Sequence, residues 1–126
     1  GLNGQVKLLG HRTDVEQLLA AADVFVFPSR FEGLPGALIE AAAAGLPIIA
    51  SDIPNNREVA GENKNALFFP VNDHQVLSAC IEKMATDPDL RSKFAKESLR
   101  IFNERFTLEK VHEDMREMME QLTFSN

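Results

Sequence analysis

The chain has 126 residues, of which 44% are apolar and 25% are charged, which is typical of one globular domain or most of one. Its net charge of −6 argues against non-specific binding to nucleic acid or anionic membranes, since both need clustered lysine and arginine. The single cysteine, Cys80, cannot form an internal disulfide and is interpreted as a small buried apolar residue. No apolar run approaches the ~20 residues that cross a bilayer, and no signal peptide is visible, so a reducing, cytoplasmic location is expected.

The first half of the sequence alternates short apolar runs with helical patterns. The segment from Thr13 to Glu16 is a capping box, which predicts a helix that ends near Ala22. An alanine-rich pattern predicts a second helix over residues 37–44, ended by Gly45, which can adopt a positive φ. Four apolar runs predict short strands. These runs are residues 6–9, 24–27, 47–50 and 66–69.

The runs at 24–27 and 47–50 are apolar on successive residues and not on alternate ones. This pattern is typical of strands buried on both faces of a parallel sheet with helical crossovers. The predicted fold class is therefore α/β: a partial doubly wound, Rossmann-like parallel sheet of about four strands, with helices on both sides and a helical C-terminal tail. Residues 1–126 are interpreted as one partial domain, whose α/β part covers about 1–72 and whose tail covers about 73–126.

Three helices are predicted in the tail, each opened by a residue whose side chain can cap the first turn: Asp73, Asp87 and Thr107. Pro88 suits the first turn of the second helix, because its missing N–H has no partner there. The helices are expected to end near residues 86, 104 and 122. An apolar stripe on the last helix is interpreted as a packing face; it consists of Val111, Met115, Met118, Met119 and Leu122.

The most informative segment runs from the strand at 24–27 through a Gly/Pro-rich loop into the helix at 37–44. A strand–loop–helix unit directs free backbone N–H groups and the positive helix end at an anion. Two carboxylates frame this loop: Glu32 lies before the helix, and Glu40, with seven residues between them, lies about one turn inside it. A ligand with phosphate in its middle and a hydroxyl-bearing ring at each end suits this spacing. Nucleotide sugars have this shape.

These residues resemble the retaining nucleotide-sugar glycosyltransferases called group 1 or family 4, which have the two-lobed GT-B fold. The likeness is dense from Val6 to Asp73 and less specific in the helical tail. The following segments carry it: Leu9-Gly10, Ala22-Asp23-Val24-Phe25-Val26-Phe27-Pro28-Ser29, Glu32-Gly33-Leu34-Pro35, Glu40-Ala41, Gly45-Leu46-Pro47-Ile48-Ile49-Ala50-Ser51, Asn56-Arg57-Glu58 and Leu67-Phe68-Phe69-Pro70.

The resemblance implies that this chain is the C-terminal lobe, which binds the nucleotide-sugar donor. It implies that Glu32 lies beside the transferred sugar, as the candidate catalytic residue, and that Glu40 accepts hydrogen bonds from the ribose hydroxyls. Many members carry glycine where this chain has Pro35, which has no N–H to donate. The backbone N–H groups left to face the sugar and diphosphate are those of Gly33, Leu34, Gly36 and Ala37.

The resemblance also implies partners. The nucleotide sugar is a substrate and not a cofactor, and no metal ligands are expected. The acceptor, a saccharide or a lipid-linked sugar, is expected to bind through an N-terminal lobe outside this chain. The Arg and Lys that neutralise the diphosphate are expected to lie outside it too, so these residues alone are predicted to have little or no transferase turnover. Peripheral docking of the full-length protein on the inner membrane face stays open.

The doubly wound order has a structural consequence for the predicted strand at 24–27. Two strands that would separate it from the strand at 6–9 have no counterpart in the sequence, so its edge is expected to be unpaired. We hypothesise that the strand at 6–9 fills the gap, or that two copies of the chain pair or swap strands.

Two other functions stay open: a nucleotide-sugar epimerase of the same two-lobed fold, and a non-catalytic α/β nucleotide-binding module. A dinucleotide-binding module is disfavoured, because the sequence has no glycine fingerprint after its first strand. Taken alone, Glu40 fits an ordinary charge on a helix surface, and Glu32 fits a loop carboxylate near a helix N-terminus. Arg30 and Arg57 are interpreted as solvated or ion-paired.

Overall fold

The structure is a computed structural model and describes residues 4–30, 33 and 35–124. Within them, nine helices and strands follow one another along the chain. They are α1 (Val15–Ala21), β1 (Phe25–Phe27), α2 (Gly36–Ala43), β2 (Ile48–Ser51), α3 (Pro54–Val59), β3 (Ala66–Phe69), α4 (His74–Thr86), α5 (Pro88–Arg105) and α6 (Leu108–Phe124).

The three strands form one parallel sheet in the order β1-β2-β3. Phe25 pairs with Ile48, and Ile48 pairs in turn with Ala66. Helices cover both faces of this sheet. The predicted parallel α/β class is therefore confirmed, and Gly45 ends α2 at a φ of +72° as expected.

Two apolar clusters lie on opposite faces of the sheet. One contains Ile48 and Ala50 of β2 with Leu38 of α2, and the other contains Ile49 with Phe94 of α5. Alternate β2 residues thus contribute to both clusters, and all four residues of the strand are buried. Burial on two faces, expected for this strand, is confirmed.

The predicted strand at 6–9 is wrong, and the sheet has three strands within the described residues. Residues 7–10 form no strand, and Leu8 is 97% exposed. A strand needs a neighbouring edge that receives its backbone hydrogen bonds, and a local apolar run cannot specify that edge. The hypothesis that this segment fills the gap beside β1 is also wrong, since β1 pairs only with β2 in the described sheet.

Two further local expectations fail. The capping box does not form: Asp14 is the N-cap residue of α1, its side chain makes no cap hydrogen bond, and its carboxylate binds Arg12 at 2.7 Å instead. The expectation that β1 is buried on both faces of the sheet is wrong, because Val26 is 37% exposed. In the first case the adjacent Arg12 binds the Asp14 carboxylate, and in the second the packed elements leave the Val26 side chain partly uncovered.

The helical tail confirms its predicted caps. The carboxylates of Asp73 and Asp87 accept hydrogen bonds from the N–H groups of Val76 and Leu90, at 3.0 and 2.9 Å. Thr107 accepts one from Lys110 at 3.2 Å. Cys80 is half-buried beside the second apolar cluster, and burial raises the pKa of its thiol. No helix in the described part of the chain is long and apolar enough to cross a membrane.

The apolar stripe on α6 does not pack as expected. Its described members are between 40% and 62% exposed: Val111, Met115, Met118 and Met119. The sequence pattern predicts which residues share a face of the helix, but not whether another element covers that face.

Candidate functional site

The loop after β1 leads directly into the N-terminal end of α2. Pro35 is buried and precedes the helix, and its side chain provides no cap. The first N–H groups of a helix have no acceptor within the helix, so those of Gly36 and Ala37 lie at its open, positive end. Both residues are exposed, as is Gly33 in the loop.

Glu40 lies about one turn further along α2, roughly 6 Å from Gly36 at ~1.5 Å per residue. Its side chain is exposed, and within the described residues its carboxylate has no hydrogen bond or ion pair. It lines an open groove of about 740 Å³ between α1 and α2. The lining residues are Thr13, Val15, Glu16, Gln17, Leu19, Ala20, Glu40, Ala43 and Ala44.

The groove has a negative character. Two of its lining residues, Glu16 and Glu40, are carboxylates, and none of the described lining residues is Lys or Arg. Carboxylates accept hydrogen bonds from neutral hydroxyl groups and repel anions. The groove therefore suits a hydroxyl-bearing ring, whereas the open end of α2 suits an anion. The sequence pattern places Glu40 but gives no sign that α1 lies across from it.

Residues of β2 and α3 hold the loop from the other side. The Ser51 hydroxyl donates to the Ser29 carbonyl, and the Asn55 amide donates to the Gly33 carbonyl at 2.7 Å. The Asn56 amide donates to both the carbonyl and the hydroxyl of Ser51, at 2.9 and 3.2 Å. The sequence analysis missed α3, although Pro54 after an extended residue is a helix-start signal.

Arg57 on α3 forms ion pairs, as expected. Its guanidinium lies 2.5 Å from Asp52 and 2.7 Å from Glu62, and it stacks over the Phe68 ring at 4.6 Å. The hydrogen bond with Asp52, followed by that with Glu62, raises the pKa of Arg57. The same bond with Arg57 lowers the pKa of Asp52.

Gly36, Ala37 and Glu40 lie in the first two turns of α2, and Gly33 lies in the loop before that helix. Glu32 and Leu34 lie outside the described residues, so the pairing of the two glutamates across one cleft stays a prediction. Within the residues the structure covers, no group of three or more His, Cys, Asp or Glu side chains can hold a metal ion.

The likeness to known proteins defines the class of this chain. The sequence model of the family described as "Glycosyl transferases group 1" matches residues 1–100. The Anabaena protein HepE, solved in complex with UDP, superposes with a TM-score of 0.90 at 25% identity, over 96% of this chain and 34% of its own. The chain belongs to the group 1 glycosyl transferases, with the fold of their GT-B C-terminal lobe.

Two curated relatives are transferases that act on lipid-linked sugars. The UDP-Gal:alpha-D-GlcNAc-diphosphoundecaprenol alpha-1,3-galactosyltransferase of Escherichia coli is 40% identical over 57% of this chain and 19% of its own length. The N,N'-diacetylbacillosaminyl-diphospho-undecaprenol alpha-1,3-N-acetylgalactosaminyltransferase of Campylobacter jejuni is 35% identical over 75% and 25%. The chain thus spans about a fifth to a quarter of the length of these relatives.

Proposed function

We propose that this chain is the donor-binding part of a retaining glycosyltransferase, which moves a sugar from a nucleotide sugar to a saccharide or lipid-linked acceptor. The observation that carries the proposal is the position of Glu40. Its carboxylate, which has no partner among the described residues, lines the groove beside α1, one helical turn from the open N-terminal end of α2. UDP bound to the similar HepE protein, and lipid-linked acceptors in the names of two relatives, support the same function.

In this proposal the two ends of the site bind different parts of the donor. The Glu40 carboxylate accepts hydrogen bonds from the ribose hydroxyls, and charge-assisted bonds of this kind are each worth ~1.5–3 kcal/mol. The negative groove suits this neutral ring. The diphosphate lies against the backbone N–H groups of Gly33, Leu34, Gly36 and Ala37, where the helix end favours negative charge.

Glu32 is proposed to lie beside the transferred sugar. A sugar that leaves with retention passes through a cation-like state, which a nearby carboxylate stabilises electrostatically. The departing diphosphate needs cationic partners, and the family resemblance implies that these Arg and Lys lie outside this chain. We therefore expect little or no turnover from these 126 residues without the rest of the transferase. A clear rate of sugar transfer by them alone would contradict this.

Donor binding tests the proposal. Calorimetric titration of the full-length protein with UDP-, GDP- and ADP-sugars is expected to identify one donor class. Glu40→Ala is expected to weaken that donor by about 10- to 100-fold, since it removes the acceptor of the ribose hydroxyls. Glu82→Ala is the matched control, because Glu82 is also an exposed helical glutamate but lies on α4. Unchanged affinity in Glu40→Ala would contradict the ribose assignment.

A further inference from the structure

We propose that Ser51 and Asn55 are positioning residues of the sugar-donor site. They hold the loop between β1 and α2 by its carbonyl groups, so that its N–H groups are preset to face the diphosphate. The inference rests on the proposed function, and it assigns a role to β2 and α3, which do not line the groove beside Glu40.

The Ser51 hydroxyl lies between α3 on one side and the end of β1 and the loop on the other. The Asn56 amide donates to the Ser51 hydroxyl at 3.2 Å and to the Ser51 carbonyl at 2.9 Å. The hydroxyl accepts this bond and donates its own proton to the Ser29 carbonyl, with the Phe27 carbonyl as a more distant acceptor at 3.5 Å. Ser51 is 1% exposed and Asn56 is fully buried, so water does not compete for these bonds.

The orientation of Asn56 fits this role. Both of its amide hydrogens are used on Ser51, and its Oδ1 atom is buried without a partner in the described part of the chain. Buried polar atoms without partners are rare in folded proteins and need an explanation. A flipped amide would place Oδ1 against the Ser51 carbonyl, where two acceptors repel. The unpaired acceptor thus follows from fixing the Ser51 hydroxyl towards the loop.

Asn55 acts on the second half of the loop. Its amide donates to the Gly33 carbonyl at 2.7 Å, and the two residues lie 22 positions apart in the sequence. Gly33 has no side chain of its own to restrict its backbone, so an outside hydrogen bond is an effective restraint. Asn55 and the Asn56–Ser51 pair therefore hold the loop at two separated points, Gly33 and Ser29.

A hydrogen bond that fixes a backbone carbonyl also fixes the N–H group of the same peptide unit. In a trans peptide the C=O and the N–H of one unit point to opposite sides. Holding the Ser29 and Gly33 carbonyls therefore limits the rotation of the loop backbone at these two residues. A loop preset in this way loses less conformational entropy when it binds an anion, which strengthens binding without a new contact.

The test separates phosphate positioning from general stability. The full-length protein is titrated with UDP and with UMP, or with the GDP/GMP or ADP/AMP pair if those bind. The readout is the ratio of the two affinities, which measures the contribution of the second phosphate. Asn55→Asp and Ser51→Ala are each expected to lower this ratio about 3- to 10-fold, as expected for one lost hydrogen bond. Glu40→Ala is expected to weaken both nucleotides and to leave the ratio unchanged.

The matched control is Asn103→Asp, the same amide-to-carboxylate change at an exposed position of α5. It is expected to leave the ratio unchanged. If Asn55→Asp and Ser51→Ala also leave it unchanged while the unaltered protein binds UDP, the positioning role is wrong and the proposed function stands. If the unaltered protein binds none of the three diphosphates, the proposed function fails, and this inference fails with it.

Discussion

Val26 of β1 and Ile49 of β2 are direct register partners in the parallel sheet, yet their surroundings differ. Ile49 is fully buried among Met84 and Phe94, whereas Val26 is 37% exposed. Partners on neighbouring strands point to the same face of a sheet. The difference therefore comes from α4 and α5, which cover the centre of that face more fully than its edge at β1.

The largest expected effect tests this comparison directly. Ile49→Ala is expected to lower the free energy of unfolding by ~2–5 kcal/mol, because it removes buried methyl groups and leaves a cavity. Val26→Ala removes groups that are already partly exposed, so a loss of ~1 kcal/mol or less is expected. Urea denaturation of both variants measures the two values.

Equal losses in the two variants would contradict the comparison, because they would show that the Val26 face is covered in solution. A homodimer in which two copies pair or swap strands through β1 remains our proposal for such a cover. Light scattering across a range of protein concentrations separates the cases, since a dimer dissociates on dilution.

A smaller effect is expected where polar groups, and not apolar ones, join a helix to the sheet. The Ser98 hydroxyl on α5 donates to the Leu46 carbonyl at 2.6 Å and accepts from the Asn65 amide at 3.2 Å. Ser98→Ala leaves both buried partners unpaired, with an expected loss of ~1–3 kcal/mol in unfolding free energy. Ser92→Ala, at an exposed position of the same helix, is expected to stay within ~0.5 kcal/mol. Equal effects would mean that α5 does not depend on this contact.

The smallest effect concerns the exposed ion pair of Asp52 and Arg57. Because the pKa of Asp52 is lower in the folded protein, the pair stabilises the fold above the usual carboxyl range, and this contribution is lost as pH falls through the lowered pKa. Both side chains are more than 40% exposed, so solvent and salt screen the pair. Asp52→Asn is expected to be slightly less stable than the unaltered protein at pH 7 and equal to it in strong acid. Denaturation curves at both pH values, with and without added salt, check this.

Local signals predicted the helical tail well. An N-cap residue forms its hydrogen bond within three positions of itself, so Asp73, Asp87 and Thr107 could be assigned from neighbours alone. The same kind of signal failed at Thr13, where a nearby arginine binds the N-cap carboxylate of Asp14 instead. Local rules hold where no competing charge lies within reach.

In the candidate site, too, local sequence predicted one part of the geometry and not the other. The predicted helix fixed the positions of Gly36, Ala37 and Glu40 relative to one another, because helical rise depends only on residue spacing. The groove between α1 and α2 and the hydrogen bond from Asn55 to Gly33 could not be predicted, since each joins residues at least 20 positions apart.

The sequence by itself determined the family, the alternation of strands and helices, the caps of the tail and the spacing of the candidate-site residues on α2. Each of these depends on residues that are near neighbours along the chain. The tertiary structure decided that residues 7–9 form no strand, that one face of β1 is partly exposed and the stripe on α6 is exposed, and that Ser51 and Asn55 bind the loop. Those outcomes depend on which distant surface lies opposite, and a local pattern carries no information about that surface.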